Sequence, residues 1–409
     1  MMRRSMIAIV LGALATPAGA LSPAEIDQVA LRAHAGVRTV VHKLASDRLQ
    51  GRDNNTQGSL DAQTWLIRKL RRLGSGLNTA ASGDDAFKQP FVQGSQIGTN
   101  LVALIPGRDL ASEYVIVGAH YDHLDSRSTP DGHCSAAGAP GGQICNGATD
   151  NAAGVAAVLA IGRAIRKLPT PPRRSVILAL WDSEEDGLLG SFYYTHHPLV
   201  PLGATRGYVN FDIQGANLLP SLRNVSFALS AETGGSAFQA LVDAAITPEG
   251  LGTHQLSYIF GQLRSDYANF VGAGVPTVFF SDSTGGCYHT VNDDVRIVDF
   301  RKLAVESHIA FRSTAALAES SPPPTFVPPN PALAVYTDAL RIADVVQLGQ
   351  ADVAMFSSAD QTAFATANAQ LQALVAAGPG AFDGTSAGTL IGIAVQLVNL
   401  LTHVSCQQF

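Results

Sequence analysis

The chain has 409 residues, 46% hydrophobic and 15% charged, with a formal net charge of −6. That is enough apolar material for a sizeable core, in one large domain or in two or three smaller ones. The acidic balance gives no electrostatic support for nucleic-acid binding.

Residues 1–20 read as an export signal. Arg3 and Arg4 precede a short apolar run from Met6 to Ala15, and Ala18-Gly19-Ala20 supplies a small-residue cleavage site. The run falls short of the roughly 20 residues a membrane span needs. The expectation is a secreted or periplasmic protein that begins at Leu21 and is not inserted stably in a membrane. The four cysteines suit an oxidising compartment. Cys134 and Cys145 share one Gly/Ala/Ser-rich loop and are the expected pair, while the partners of Cys287 and Cys406 stay open.

Residues 24–74 have a helical pattern. Ala62, Trp65, Leu66, Leu70 and Leu73 form one stripe that stops at Gly74. Strands are expected at 100–105, 114–119, 175–181, 207–211, 225–230 and 276–281, and helices at 151–167, 236–246, 266–271 and 299–319. Continuous β-branched runs between helices indicate strands covered on both faces. The expected fold is therefore α/β, with a mixed, largely parallel β-sheet flanked by helices. A stiff Pro-rich connector follows at 320–331. An Ala/Leu/Val-rich C-terminal region, 332–409, carries no motif and reads as a small helical extension. The main domain is then 21–319.

Chemistry collects just past the strand ends, where open α/β folds place function. The strand at 114–119 ends in His120-Tyr121-Asp122, and the next strand-to-helix junction holds Asp150. The strand at 175–181 runs into Asp182-Ser183-Glu184-Glu185. The strand at 207–211 ends in Asp212, and the one at 276–281 is followed by Tyr288-His289. Glu184 and Glu185 side by side at a buried strand end should repel. Taken alone, the pair could cap the next helix, where acidic residues are favoured. Together, imidazoles and carboxylates without thiolates suit a first-row divalent cation, Zn²⁺ best. Their number suggests two metals sharing a bridging carboxylate. One glutamate could then bind metal while its neighbour faces the reacting water, and Asp122 could accept the second ring N–H of His120.

At "VGAHYDHLD" (117–125), "GATDNAAG" (147–154), "WDSEEDGLLGS" (181–191), "NFDIQG" (210–215), "RSDYANFVGAGVPTVFF" (264–280) and "YHTVNDD" (288–294) the sequence resembles the M28 family of zinc metallopeptidases, the di-zinc aminopeptidases. The resemblance implies the zinc-exopeptidase fold and Zn²⁺, two per chain. His120 and Asp212 would hold one ion and Glu185 and His289 the other, bridged by Asp150, with a cis Asp150–Asn151 peptide. Glu184 would be the general base that activates a metal-bridged water, and Asp122 would orient His120. Peptides with a free N-terminus would be the substrates. Tyr267, which stands where family members often have His, and Tyr288 are candidate substrate-binding residues. Ala153 and Ile213 replace the family's usual Ser and Met. Three other readings remain open: a glutaminyl cyclase-like enzyme on the same scaffold, a carboxypeptidase or dipeptidase of the same family, and a non-catalytic binding domain. Preferred side chain and oligomeric state are not legible.

Overall fold

The computed structural model describes residues 21–124, 134, 144–330 and 333–407. The expected signal segment and most of the loop between Leu124 and Gly147 lie outside the described residues. The N-terminal region forms α1 (Pro23–Ala30), α2 (Val37–Leu44) and α3 (Gln57–Leu70). α1 starts in a capping box between Ser22 and Glu25, and Thr56 caps α3 by accepting the Ser59 N–H.

The strands that follow are β1 (Ser75–Gly76), β2 (Lys88–Gln93), β3 (Gln96–Ile105), β4 (Leu110–His120), β5 (Arg174–Trp181), β6 (Thr205–Phe211), β7 (Val225–Leu229), β8 (Gly252–Leu256) and β9 (Thr277–Ser281). Between them run α4 (Ala153–Ile165), α5 (Leu189–His196), α6 (Gly235–Ile246) and α7 (Tyr267–Gly272). α8 (Phe300–Glu319) follows the sheet, capped by Asp299, whose carboxylate accepts the Arg301 and Lys302 N–H groups. Among the described residues the sheet has nine strands, in the order β1-β3-β5-β4-β6-β9-β7-β8 with β2 paired to β3. Its centre, β5-β4-β6-β9, is parallel, and β3 and β7 join antiparallel on either side.

Each strand expected from the sequence lies within or overlaps an observed one. β5 is buried along its whole length, which explains why it reads as an unbroken apolar run from Val176 to Trp181. β1, β2 and β8 were not anticipated. β2 contains Pro90 and alternates in burial, as a strand outside the main sheet path does.

Apolar side chains pack on both faces of the sheet. α4 is apolar nearly all round because it lies between the sheet and α2 and α8. The opposite face carries an aromatic cluster, Trp181, Tyr194, Tyr208 and Phe270, with rings 3.8–6.4 Å apart. That core continues into the C-terminal helices α9 (Tyr336–Gly349), α10 (Ser358–Ala377) and α11 (Gly384–Thr402) through Ile342, Phe364 and Leu390. Disulfides join Cys134 to Cys145 and Cys287 to Cys406. The second anchors the end of the C-terminal region to the loop after β9.

Candidate metal centre

The carboxyl ends of the parallel strands converge. His120 closes β4 and sits in register with Trp181, the last residue of β5. Asp182 to Glu185 follow β5, and Asp212 follows β6. Asp150 lies in the turn Ala148–Ala152 that leads into α4, with the Asp150–Asn151 peptide cis. His289 arrives on the loop after β9 with φ 55°. The glutamates do not cap α5: that helix has Leu188 at its N-cap and no acidic residue in its first turn. Nor does Asp150 cap α4, whose N-cap is Ala152 without a side-chain bond.

The donors form two sets that share Asp150. His120 Nε2 lies 3.2 Å from Asp150 Oδ1 and 3.4 Å from Asp212 Oδ1. His289 Nε2 lies 3.2 Å from Asp150 Oδ2 and 3.1 Å from Glu185 Oε2. The two oxygens of one carboxylate thus face opposite sets. Ligands at about 2.0–2.2 Å around a tetrahedral Zn²⁺ stand roughly 3.3 Å apart, so both sets fit such an ion. His289 Nε2 is buried and makes no well-aligned hydrogen bond although two carboxylates lie within 3.2 Å of it, the placement expected of an atom aimed at a shared cation. Glu184 Oε2 lies 3.9 Å from His120 Nε2 beside the shared site. Asp122 backs His120, with its carbonyl oxygen 3.2 Å and its carboxylate 3.5 Å from Nδ1.

Environment separates the two glutamates. Burial pushes Glu184 well above the usual carboxylate range, helped by Asp212, Glu185 and Asp266 and opposed by His120. Burial alone would also raise Glu185, but His289 and His123 bring it down to about 2. Burial lowers His289 less than Glu185 and Asp150 raise it, to about 10. Adjacent carboxyl groups held this far apart can take different roles, one as a ligand and one as a proton carrier.

A profile of peptidase family M28 matches residues 100–312, half of the chain. The chain belongs to peptidase family M28. It is 26% identical over 275 residues to leupeptin-inactivating enzyme 1 of Streptomyces exfoliatus, covering 66% of this chain and 53% of that one. It therefore spans about half the length of that relative. Among solved structures it resembles the LapA aminopeptidase of Legionella pneumophila, with TM-score 0.56 and 18% identity over 75% of this chain and 78% of that one. It resembles the glutaminyl cyclase of Porphyromonas gingivalis with TM-score 0.53 and 18% identity over 69% and 96%. At these identities the structures establish the fold, the mixed and largely parallel sheet between helices.

Two features of this M28 member depart from the sequence reading. Tyr267 was expected to touch substrate, yet it is fully buried. Its hydroxyl accepts the Leu263 N–H at 2.9 Å and donates to the Tyr258 carbonyl at 2.8 Å. It buttresses the 258–263 loop instead of lining the cleft. Tyr288 does line the cleft, and its hydroxyl accepts from Arg264 at 3.0 Å. His123 was not anticipated: its Nδ1 lies 2.7 Å from Glu185 Oε1, so it steadies that carboxylate or joins the donor set. The second imidazole of the "HYDH" stretch was the available signal.

Two further groups hold the backbone that carries Asp150 and were also missed. Asp293 accepts the Thr149 N–H at 2.8 Å and the Asp150 N–H at 3.0 Å. Burial raises it to about 6. Arg52, fully buried, donates to the carbonyls of Tyr121 at 2.7 Å, Gly147 at 2.7 Å, Leu44 at 3.2 Å and Asp150 at 3.4 Å, and also to that of Asn146. Arg52 itself has φ 56°. At Gly51, φ 79°, an added Cβ would meet the Leu124 carbonyl oxygen at 1.8 Å.

Proposed function

We propose that the chain is an exported zinc aminopeptidase that hydrolyses the N-terminal peptide bond of substrates with a free amine. The observation that carries this reading is the pair of His/carboxylate sets sharing Asp150, with Glu184 beside them in one buried cluster. Bound there, two Zn²⁺ ions would polarise the scissile carbonyl and acidify water. His120 and Asp212 would hold one, Glu185 and His289 the other, and Asp150 both. Glu184 would take a proton from the attacking water and pass it to the leaving amine. Its burial favours holding that proton between the two transfers. Asp122 keeps His120 Nε2 aimed at the cluster through its contact with Nδ1. Two disulfides support passage through an oxidising compartment.

The test compares the unmutated protein with Glu184→Gln for zinc content and for release of amino acid from aminoacyl nitroanilides and an unblocked peptide. About two zincs in both, with release only by the unmutated protein, is expected. Ammonia loss from N-terminal glutamine without amino acid release would replace this reading with the cyclase.

A further inference from the structure

The C-terminal helices have no counterpart in the matched family region, which stops at residue 312. They nevertheless share a cavity with the candidate metal centre. One cavity of about 420 Å³ begins at Asp150, Glu184 and Asp212 and extends away from them beneath the C-terminal helices. Ile342 and Val346 of α9, Phe364 of α10, and Ile391, Val398 and Leu401 of α11 line its far wall. Leu229, Leu256 and Phe279 line the sheet side.

The chamber is chemically one-sided. Beyond the acidic donors, Arg264 is the one charged residue along it among the described residues, and that guanidinium already donates to the Tyr288 hydroxyl. A polar occupant would lose water and find few partners, whereas an apolar one would gain by burial. The volume lies in the range that encloses most of a drug-sized molecule, more than one short side chain requires. The helical wall is also fixed in place. Cys406 is bonded to Cys287, two residues before His289. At Gly286 an added Cβ would meet the Val404 carbonyl oxygen at 1.7 Å, so the C-terminal segment lies directly against the loop that brings in His289.

We propose that residues 336–402 are the substrate-selecting wall of the active site. The chamber takes a long apolar side chain on the residue N-terminal to the scissile bond. This rests on the aminopeptidase reading and adds its substrate class. Because the chamber is continuous with Glu184 and the shared Asp150, a side chain filling it belongs to the molecule whose reacting carbonyl lies at the metals. Selectivity should rise along the series alanine, leucine, phenylalanine and 2-aminooctanoic acid, by about fourfold in kcat/KM for each buried methylene.

The experiment measures kcat/KM for the nitroanilides of that series with the unmutated protein and with Val398→Trp, which fills the chamber from α11. In parallel, calorimetry follows octylamine and ethylamine binding to the metal-free proteins. The expected result is a loss of at least tenfold for the 2-aminooctanoyl substrate in the variant, with the alanyl substrate within twofold. Octylamine affinity should fall in step and ethylamine affinity should not. Val395→Asp, at a position on the same wall that is already 37% exposed, repeats the test if the Trp variant does not fold. An equal loss for all substrates, or a flat series in the unmutated protein, would overturn the proposal. Absence of hydrolysis with every nitroanilide would count against the aminopeptidase reading, and the octylamine measurement would still decide the chamber.

Discussion

Replacing Arg52 with Met separates two roles that the structure assigns to this side chain. Its guanidinium and Nε–H hold carbonyls from β4's end, the α2 terminus and the turn that carries Asp150. A buried acceptor left without a donor costs about 1–3 kcal/mol. Of the five carbonyls it holds, counting that of Asn146, four lie 3.2 Å away or closer, which puts the loss at roughly 4 kcal/mol at the lower end of that range. Methionine fills much the same space, so no large cavity adds to the figure. Burial already lowers the Arg52 pKa to about 10 despite the nearby Asp150, Asp122, Asp293 and Glu185, so removing the charge recovers some desolvation energy. The net loss should be about 2–4 kcal/mol, read as a shift of the urea midpoint in metal-free protein. Zinc affinity decides the mechanism. If Arg52 acted only as a positive charge near the site, its removal would leave the cluster more acidic and zinc would bind more tightly. If it acts by holding ligand-bearing backbone, zinc binding should weaken about 10- to 100-fold, as loss of outer-shell support does. Arg52→Lys, with the charge but without the fork, should resemble Met. Tighter zinc binding in the Met variant with an unmoved urea midpoint would refute the positioning role.

Glu232 should make stability depend on pH. It accepts the Tyr258 N–H at 2.7 Å, and burial raises its pKa from 4.5 to about 7. The folded chain keeps a proton that the unfolded chain releases, so its stabilising contribution is full below about pH 4.5 and is lost as pH rises through about 7. Glu232→Gln preserves an acceptor oxygen without the ionisation. It should gain about 3 kcal/mol over the unmutated protein at pH 8 and nothing at pH 4, as read by urea unfolding. An equal gain at both values would show that the effect is not ionisation. The Cys287–Cys406 link closes a loop with a sequence separation of 119. The double Ser variant should unfold about 3–5 kcal/mol more easily, and an unchanged urea midpoint would mean that the C-terminal helices are held by packing alone.

What the sequence disclosed followed from which atoms do the holding. The central strands were legible because both faces are covered, so polar residues such as Asn210 interrupt them only rarely. The short strand Ser75–Gly76 and the strand Gly252–Leu256 at the sheet's edge carried no such signal. The clustering of Asp150, Asp212, Glu185 and His289 was legible because these are side chains that the topology places past strand ends. Arg52 was not, because its partners are main-chain carbonyls, some of them more than 90 residues away. Nothing in the identities of Gly147 or Asn146 announces an arginine against their backbone. The chamber was hidden for a related reason. The sequence of α11 shows that it is apolar, but only packing reveals that Ile391 and Val398 face a cavity while Leu390 and Ile393 are buried in the core.

Arg52 also shows how a buried guanidinium can lie among these acidic groups without pairing with their carboxylates. Its N–H groups go to carbonyl oxygens, with Asp150 bound through its backbone and not its carboxylate. Asp293 likewise holds Asp150 by the peptide N–H. Both side-chain oxygens of Asp150 are left to the two imidazole sets. A guanidinium forked onto that carboxylate would have satisfied it and removed the need for a cation. With Arg52 on the backbone, the imidazoles carry the compensation: His120 is held well above its ordinary pKa and His289 at about 10. Without metal the surrounding carboxylates favour the protonated form of both imidazoles, so protons compete for the electrostatic role that a divalent cation would fill. Metal loading must displace them, so the same carboxylates that attract the cation also set the proton competition against it. The adjacent glutamates are separated by the same surroundings: His289 and His123 hold Glu185 in its charged form, whereas burial outweighs the opposing His120 and keeps Glu184's affinity for a proton.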